Sequence, residues 1–100
     1  MSSSLQISDQ ELAIVKTVLQ QYATNIPVWA YGSRVKGTAK RYSDLDLALI
    51  TKEPLTFLQL AKLENAFSDS ELEWKVDILD WASASDEFKQ IVLQNYIELQ

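Results

Sequence analysis

The chain has 100 residues, of which 47% are hydrophobic and 23% charged, and this fits one compact domain with a modest core. It contains no cysteine and no histidine, which excludes disulfides, thiolate zinc sites, cysteine nucleophiles and Ser-His-Asp triads. With 9 basic and 14 acidic residues the net charge is −5, which argues against sequence-tolerant binding of nucleic acid.

Targeting signals are not evident in the sequence. No stretch contains the roughly 18 to 20 apolar residues that cross a bilayer, and the start at Met1 lacks the basic and apolar regions of a signal peptide. We therefore expect a cytoplasmic protein that binds no membrane and makes no direct contact with nucleic acid. Residues 1–100 are expected to form a single domain.

The first predicted helix covers about residues 8–22. Ser8 and Glu11 have the spacing of a capping box, and Asn25 and Pro27 end the segment. Its apolar residues recur three or four apart, as on one helix face: Leu12, Val15, Leu19 and Tyr22.

Two strands are predicted next. Residues 28–31 are aromatic and β-branched and lie between Pro27 and Gly32, which favours a buried strand. Residues 34–43 form a polar connection in which we expect a helical turn. Residues 44–50 alternate, so that three leucines share one face while Asp44 and Asp46 share the other.

The second half is predicted to add a helix, a third strand and a last helix. After Pro54 an amphipathic helix is predicted, with its apolar residues at Phe57, Leu60, Ala61, Leu63 and Phe67. Residues 74–79 alternate as a third strand. Ser85 begins a last helix whose buried stripe is Phe88, Ile91, Val92, Tyr96 and Leu99. The predicted fold is an α/β domain of the α+β type, a small mixed three-stranded sheet with helices on one face.

Asp44 and Asp46 are the first candidate site residues. Their Cα atoms should lie roughly 6.5 to 7 Å apart on one side of the strand, where two buried charges would be prohibitively costly. That face is therefore either open to water or occupied by a cation, and Mg²⁺ prefers such oxygen ligands. A lone D-x-D pattern also fits an exposed strand face near a turn.

Two neighbouring features support the cation. Gly32 permits close backbone approach or a positive φ, and Ser33 offers a hydroxyl and an N–H where a helical turn would direct its amides at an anion. The connection also holds four of the nine positive charges, Arg34, Lys36, Lys40 and Arg41. An ordinary Gly-Ser turn followed by a solvated basic loop is the alternative.

Asp77 completes the set of carboxylates if the third strand lies beside the second and presents Asp77 on the face that carries Asp44 and Asp46. Three carboxylates hold two metal ions, or one metal ion and a base for an attacking hydroxyl, and crowding raises the pKa of one of them. Asp80 has the opposite parity, and we interpret it as a turn or capping residue.

Gly32-Ser33, ten intervening residues, Asp44-Leu45-Asp46 and a later strand Asp77 resemble the signature of the DNA polymerase β-type nucleotidyltransferases. From about Glu11 to the last helix the chain is similar to their minimal members, especially the MntA-type antitoxins. The resemblance implies the polymerase β-type nucleotidyltransferase fold. It also implies that Asp44, Asp46 and Asp77 are catalytic and bind metal, and that Gly32, Ser33 and Arg34 hold the nucleotide.

The resemblance further implies a function. MntA-type proteins use Mg²⁺ and transfer AMP from ATP to a tyrosine of a helical HEPN-domain RNase toxin, HepT. It suggests that this chain is the antitoxin of such a pair, with ATP as co-substrate.

Two alternatives stay open. In the first, the domain neutralises its partner by occlusion, with Trp29, Trp74 and Trp81 available for an apolar surface. In the second, it transfers a nucleotide to a small molecule.

Overall fold

In a computed structural model that describes residues 5–100, helices and strands alternate along most of the chain. In order they are α1 (Asp9–Tyr22), β1 (Val28–Tyr31), α2 (Ser33–Lys36), β2 (Leu45–Leu49), α3 (Phe57–Ser68), β3 (Val76–Asp80), a 3₁₀ turn (Trp81–Ser83), α4 (Asp86–Gln94) and β4 (Tyr96–Glu98). Within the described part of the chain, no helix is both long and apolar enough to cross a membrane.

The strands form one mixed sheet in the order β3-β2-β1-β4. β1 pairs antiparallel with β2 on one side and with β4 on the other. β2 and β3 pair in parallel, and α3 connects them, as parallel neighbours require a crossover. The predicted α/β class is confirmed, whereas the sheet formed within residues 5–100 has four strands instead of three.

Local signals locate the ends of the helices. Ser8 and Glu11 form the predicted capping box of α1, each accepting a backbone N–H of the other residue. Thr56 and Gln59 form a second capping box at α3, a signal that our sequence analysis missed. Each such cap satisfies N–H groups that the first helical turn leaves without partners.

The first face of the sheet carries the larger core. α1 and α3 cover it with Val15, Leu19, Leu63 and Phe67, against leucines of β2 at positions 45, 47 and 49. These leucines are at most 1% exposed, which confirms the alternation predicted for this strand.

The prediction that all helices lie on one face is wrong. α4 packs on the opposite face, where Val92 joins Tyr31 and Ala48 in a second core beside Phe88 and Trp29. The half of this face that lies away from the aspartates is apolar, so the amphipathic helix α4 can bury its apolar stripe there. Ile91, predicted in that stripe, is half exposed, and Phe57 of α3 is 88% exposed.

The last helix is also shorter than predicted. It ends at Gln94, Asn95 is extended, and Tyr96–Glu98 pair with β1 as β4. The spacing of Val92, Tyr96 and Leu99 imitates a helical stripe. As a strand, the same segment satisfies the free edge of β1 and places Ile97 and Leu99 against the first core.

Candidate active site

A row of side chains crosses the sheet at the start of β2. Asp46 is the register partner of Asp77 in β3 and of Tyr31 in β1, and Tyr31 is in turn the partner of Tyr96 in β4. Paired residues in a sheet project from the same face. The structure therefore brings Asp46 and Asp77 together, with an aromatic side chain on the other side of Asp46.

Asp44 lies one residue before β2 and is exposed, as is Asp77, whereas Asp46 is partly buried. The pKa of Asp46 is raised from 3.8 to about 6, mainly by burial and then by the charges of Asp77 and Asp44. Asp77 and Asp44 are thus each close enough to influence Asp46. The raised pKa expected for one of them belongs to Asp46, the least exposed member.

The turn after β1 lies directly against this carboxylate. Gly32 has φ +83°, and the space that a Cβ would occupy there is filled by Oδ2 of Asp46. Both properties expected of this glycine, positive φ and close approach, are present. Ser33 opens α2 immediately afterwards, so the Gly-Ser turn and the carboxylates are neighbours.

Arg34 occupies a different position from its neighbours in the turn. It is 5% exposed, and its guanidinium donates to the carbonyl oxygens of Gln6, Arg41 and Ser43 at 2.8, 3.0 and 2.9 Å. It also lies over the ring of Trp74, 4.4 Å from the centroid. Each of its three side-chain nitrogens therefore donates to the protein backbone.

The rest of the basic connection is at the surface. Lys36, Lys40 and Arg41 are exposed, which agrees with a solvated basic loop for these three residues. The Arg41 guanidinium lies 5.2 Å from the ring centroid of Tyr42. One end of the site is therefore flanked by positive charge in an otherwise acidic protein.

Tyr31 is a member of the site that sequence analysis missed. It is 7% exposed, and its ring meets Phe88 of α4 edge-on with centroids 5.9 Å apart. Burial raises its pKa well above the ordinary value, and the charges of Asp46 and Asp77 add to this. The hydroxyl therefore stays protonated at neutral pH. Only the cross-strand register reveals this placement, since Tyr31 reads as a core residue in the sequence.

Asp80 is separate from the site. Its carboxylate accepts from the Thr51 hydroxyl at 2.5 Å, the Leu55 N–H at 2.8 Å and the Ser83 hydroxyl at 3.2 Å. These contacts join the end of β3 to the loop before α3. Asp80 is the last residue of β3 and immediately precedes the 3₁₀ turn, where its side chain makes no capping hydrogen bond. The last helix is capped by Ser85.

The site residues fit a magnesium ion by donor chemistry. Asp44, Asp46 and Asp77 offer hard carboxylate oxygens and mutual repulsion that a divalent cation would relieve. Within residues 5–100 no three acidic side chains are already gathered at ligating distance. Mg²⁺ commonly takes only one or two carboxylates, together with substrate phosphates and water, so a preassembled protein cage is not required.

Comparison with known proteins identifies the family. Residues 14–99 match the family model described as Polymerase beta, Nucleotidyltransferase. The chain is 55% identical over 98 residues to the probable protein adenylyltransferase MntA of Haemophilus influenzae, covering 98% of this chain and 86% of that protein.

Solved structures share the fold. A crystal structure of a toxin-antitoxin with AMP-PNP matches 89% of this chain and 72% of its own, with a TM-score of 0.76 and 26% identity. A structure of a tri-AMPylated Shewanella oneidensis HEPN toxin in complex with MNT antitoxin contains a chain that matches 94% of this chain and 72% of its own length, with a TM-score of 0.69. At 21% identity this match bears on the fold alone. The chain belongs to the polymerase β-type nucleotidyltransferases, in the group that contains the MntA proteins.

Proposed function

We propose that this chain is an antitoxin that transfers AMP from ATP to a tyrosine of a HEPN-domain toxin. The observation that supports it most directly is the row in which Asp46 pairs in register with Asp77, directly against Gly32. The 55% identity to a probable protein adenylyltransferase supports the acceptor class. The toxin-antitoxin structure with AMP-PNP, at 26% identity, supports a toxin as the kind of partner and an adenine nucleotide as co-substrate.

The reaction is an in-line displacement at the α-phosphorus of ATP. The tyrosine oxygen forms a bond to phosphorus, the bond to the bridging oxygen of pyrophosphate breaks, and the phenolic proton leaves to a base. Mg²⁺ held by Asp44, Asp46 and Asp77 supplies charge neutralisation on the phosphates when it is bound. Most of the catalysis is then positioning and electrostatic stabilisation.

Each side chain has a role in this proposal. Asp77 is exposed beside Asp46 and is placed to accept or orient the proton of an incoming hydroxyl. Ser33 and the neighbouring backbone hold the β- and γ-phosphates, and Gly32 lets the chain pass close to Asp46. Tyr31 keeps a neutral hydroxyl beside the carboxylates. Arg34 is given no phosphate contact in this proposal, because its guanidinium is buried and each of its three nitrogens already donates to a backbone carbonyl.

The site also suits an acceptor that belongs to another protein. Asp44 and Asp77 are exposed, so the carboxylates are reached from outside the domain. Three surface cavities, of about 520, 420 and 490 Å³, are lined by other residues. None of these three cavities is lined by Asp44, Asp46 or Asp77, which favours a hydroxyl presented by a partner over a free small molecule.

The test is to incubate the chain with Mg²⁺, each nucleotide in turn and a candidate HEPN-domain protein, and to weigh that protein intact. We expect a mass increase of one or more AMP units with ATP and none with chelator. Peptide mapping should locate AMP on tyrosine. A partner that remains unmodified by active preparations of the chain would contradict the proposal.

The same mixture separates catalysis from occlusion. Asp46→Ala should still bind the partner, since Asp46 lies outside both apolar cores, but should fail to modify or silence it. If the variant suppresses the toxin as well as the wild type does, occlusion is sufficient and the enzymatic proposal is wrong.

A further inference from the structure

Arg34 is the one charged side chain that is buried within residues 5–100. Its three recorded hydrogen bonds all go to backbone carbonyls, those of Gln6, Arg41 and Ser43. A buried cation is costly unless its donors are satisfied, and charge-assisted bonds from a planar, rigid fork are strong and directional. Such a group holds its partners in one geometry.

The partners show which geometry is held. Arg41 and Ser43 lie at the end of the connection between α2 and β2, and Ser43 immediately precedes Asp44. The Ser43 carbonyl accepts from Nε at 2.9 Å and the Arg41 carbonyl from a terminal nitrogen at 3.0 Å. The guanidinium thereby fixes the backbone directly before the carboxylate pair.

Arg34 is itself anchored on the opposite side. The Gln6 carbonyl accepts from the other terminal nitrogen at 2.8 Å, and the Gln6 N–H donates back to the Arg34 carbonyl at 2.7 Å. The ring of Trp74 lies under the guanidinium, and its indole N–H donates to Glu11 of the α1 capping box at 3.2 Å. We call these contacts of the Arg34 guanidinium, with Gln6 and Trp74 on one side and the carbonyls of Arg41 and Ser43 on the other, the Arg34 bracket. The bracket links the backbone before Asp44 to the start of α1.

We propose that Arg34 is a positioning residue that sets the place of Asp44 by holding the backbone of residues 41–43. It follows the Gly32-Ser33 turn by one residue, so the same segment that lies against Asp46 also fixes Asp44. The buried Arg34 guanidinium thereby fixes the position of the Gly32-Ser33 turn relative to the carboxylates. This inference rests on the proposed function for the role of Asp44, but the bracket itself is testable without activity.

The main test compares Arg34→Lys with the matched control Arg41→Lys. Lysine keeps the charge but cannot reach three separate carbonyls in a plane. We expect hydrogen exchange of the backbone amides of residues 40–45 to accelerate by about tenfold or more in Arg34→Lys, with no change in Arg41→Lys, whose side chain is exposed. Unchanged exchange in a folded Arg34→Lys would overturn the bracket.

The second readout is the Mg²⁺ concentration at which AMP transfer is half-maximal. If Asp44 is displaced, this midpoint should rise by about tenfold, since small displacements of a ligating group have large effects on rate. Simple loss of folded protein would lower the maximal rate and leave the midpoint unchanged. An unchanged midpoint overturns the positioning role. An inactive wild type would instead refute the proposed function, and the exchange result would still stand.

A wild-type measurement covers the case in which Arg34→Lys does not fold. The chain has two arginines, at positions 34 and 41, so their Nε–H signals are readily distinguished by nuclear magnetic resonance. We expect the Arg34 Nε–H to exchange with solvent much more slowly than that of Arg41. Equal exchange rates for the two would contradict the bracket.

Discussion

Gly32 and Asp46 are so close that a side chain at position 32 cannot coexist with the carboxylate in its present place. A Cβ added to Gly32 would overlap Oδ2 and would lie 3.1 Å from Cγ of Asp46. Asp46 is also held by its strand, where it pairs with Tyr31 and Asp77. The glycine is therefore a requirement of the site as well as of the turn.

We predict that Gly32→Ala lowers AMP transfer by at least about a hundredfold, because displacing a group at the reacting centre by 1 Å can have an effect of that size. Gly37→Ala is the matched control. Gly37 shares the positive φ, +84°, with ψ 15° against −157° at Gly32, and no atom lies within 4 Å of an added Cβ. Both variants should lose stability because alanine disfavours a positive φ, by about 1 to 2 kcal/mol at the left-handed Gly37 and about 1 to 3 kcal/mol at Gly32, whose conformation is essentially restricted to glycine. Only Gly32→Ala should lose activity. Equal losses of activity would assign the effect to strain alone.

The second prediction concerns Asp46 and pH. Its pKa in the folded chain is about 6, against an ordinary value of 3.8, so folding favours the protonated form. The stabilisation from this group is complete below about pH 4 and is lost as the pH rises through 6. Without metal, Asp46→Asn should therefore be more stable than the wild type at pH 7. Allowing for solvent screening of a partly exposed group, we expect about 1 to 2 kcal/mol.

Urea unfolding in the presence of chelator measures this difference. The gap between Asp46→Asn and wild type should widen between pH 4 and pH 7, whereas Glu53→Gln, in an exposed loop, should show no such widening. A gap that does not depend on pH would contradict the raised pKa. The stabilised variant should nevertheless be inactive in AMP transfer, since it lacks a carboxylate of the proposed metal site.

Much of the fold could be predicted because its signals are local. The capping residue Ser8, the alternation around Asp44 and Asp46, and the turn at Gly32 each depend on neighbours within a few positions. The parity of Asp77 likewise placed it on the face that it shares with Asp46. These features follow from the periods of strand and helix, which the sequence carries directly.

What could not be predicted depends on pairing between distant segments. The register that sets Tyr31 beside Asp46 needs β1 and β2 aligned, and Tyr96 joins the row only because β4 covers the free edge of β1. Arg34 lies in a cluster of basic residues and resembles a phosphate ligand in the sequence. Its burial depends on Gln6 and Trp74, which are 28 and 40 positions away.

The third prediction separates two aspartates of β3. Asp80 accepts three hydrogen bonds from the loop before α3 and the 3₁₀ turn, so Asp80→Ala leaves partly buried donors without a partner. We expect it to lower the free energy of unfolding by about 2 to 4 kcal/mol while each folded molecule keeps its rate of AMP transfer. Asp77→Ala, three residues earlier and exposed, should show the reverse. Thermal unfolding and the transfer rate corrected for folded fraction, measured on both variants, check this. A stable but inactive Asp80→Ala would place that residue in the site.

The fourth prediction tests the C-terminal strand. In β4, Ile97 is the partner of Ala30 and packs on the first core, while its neighbour Glu98 is exposed. Ile97→Ala should lower the stability by about 1 to 3 kcal/mol, less than for a fully buried isoleucine because Ile97 is only partly buried. Glu98→Ala should have little effect.

If the segment instead continued α4 as a helix, Tyr96 and Leu99 would extend the apolar stripe begun by Val92, and Ile97 would lie outside that stripe. Chemical denaturation of the two alanine variants therefore distinguishes strand from helix. Equal stabilities for Ile97→Ala and Glu98→Ala would contradict the strand and would mean that the edge of β1 beside Tyr31 is unpaired.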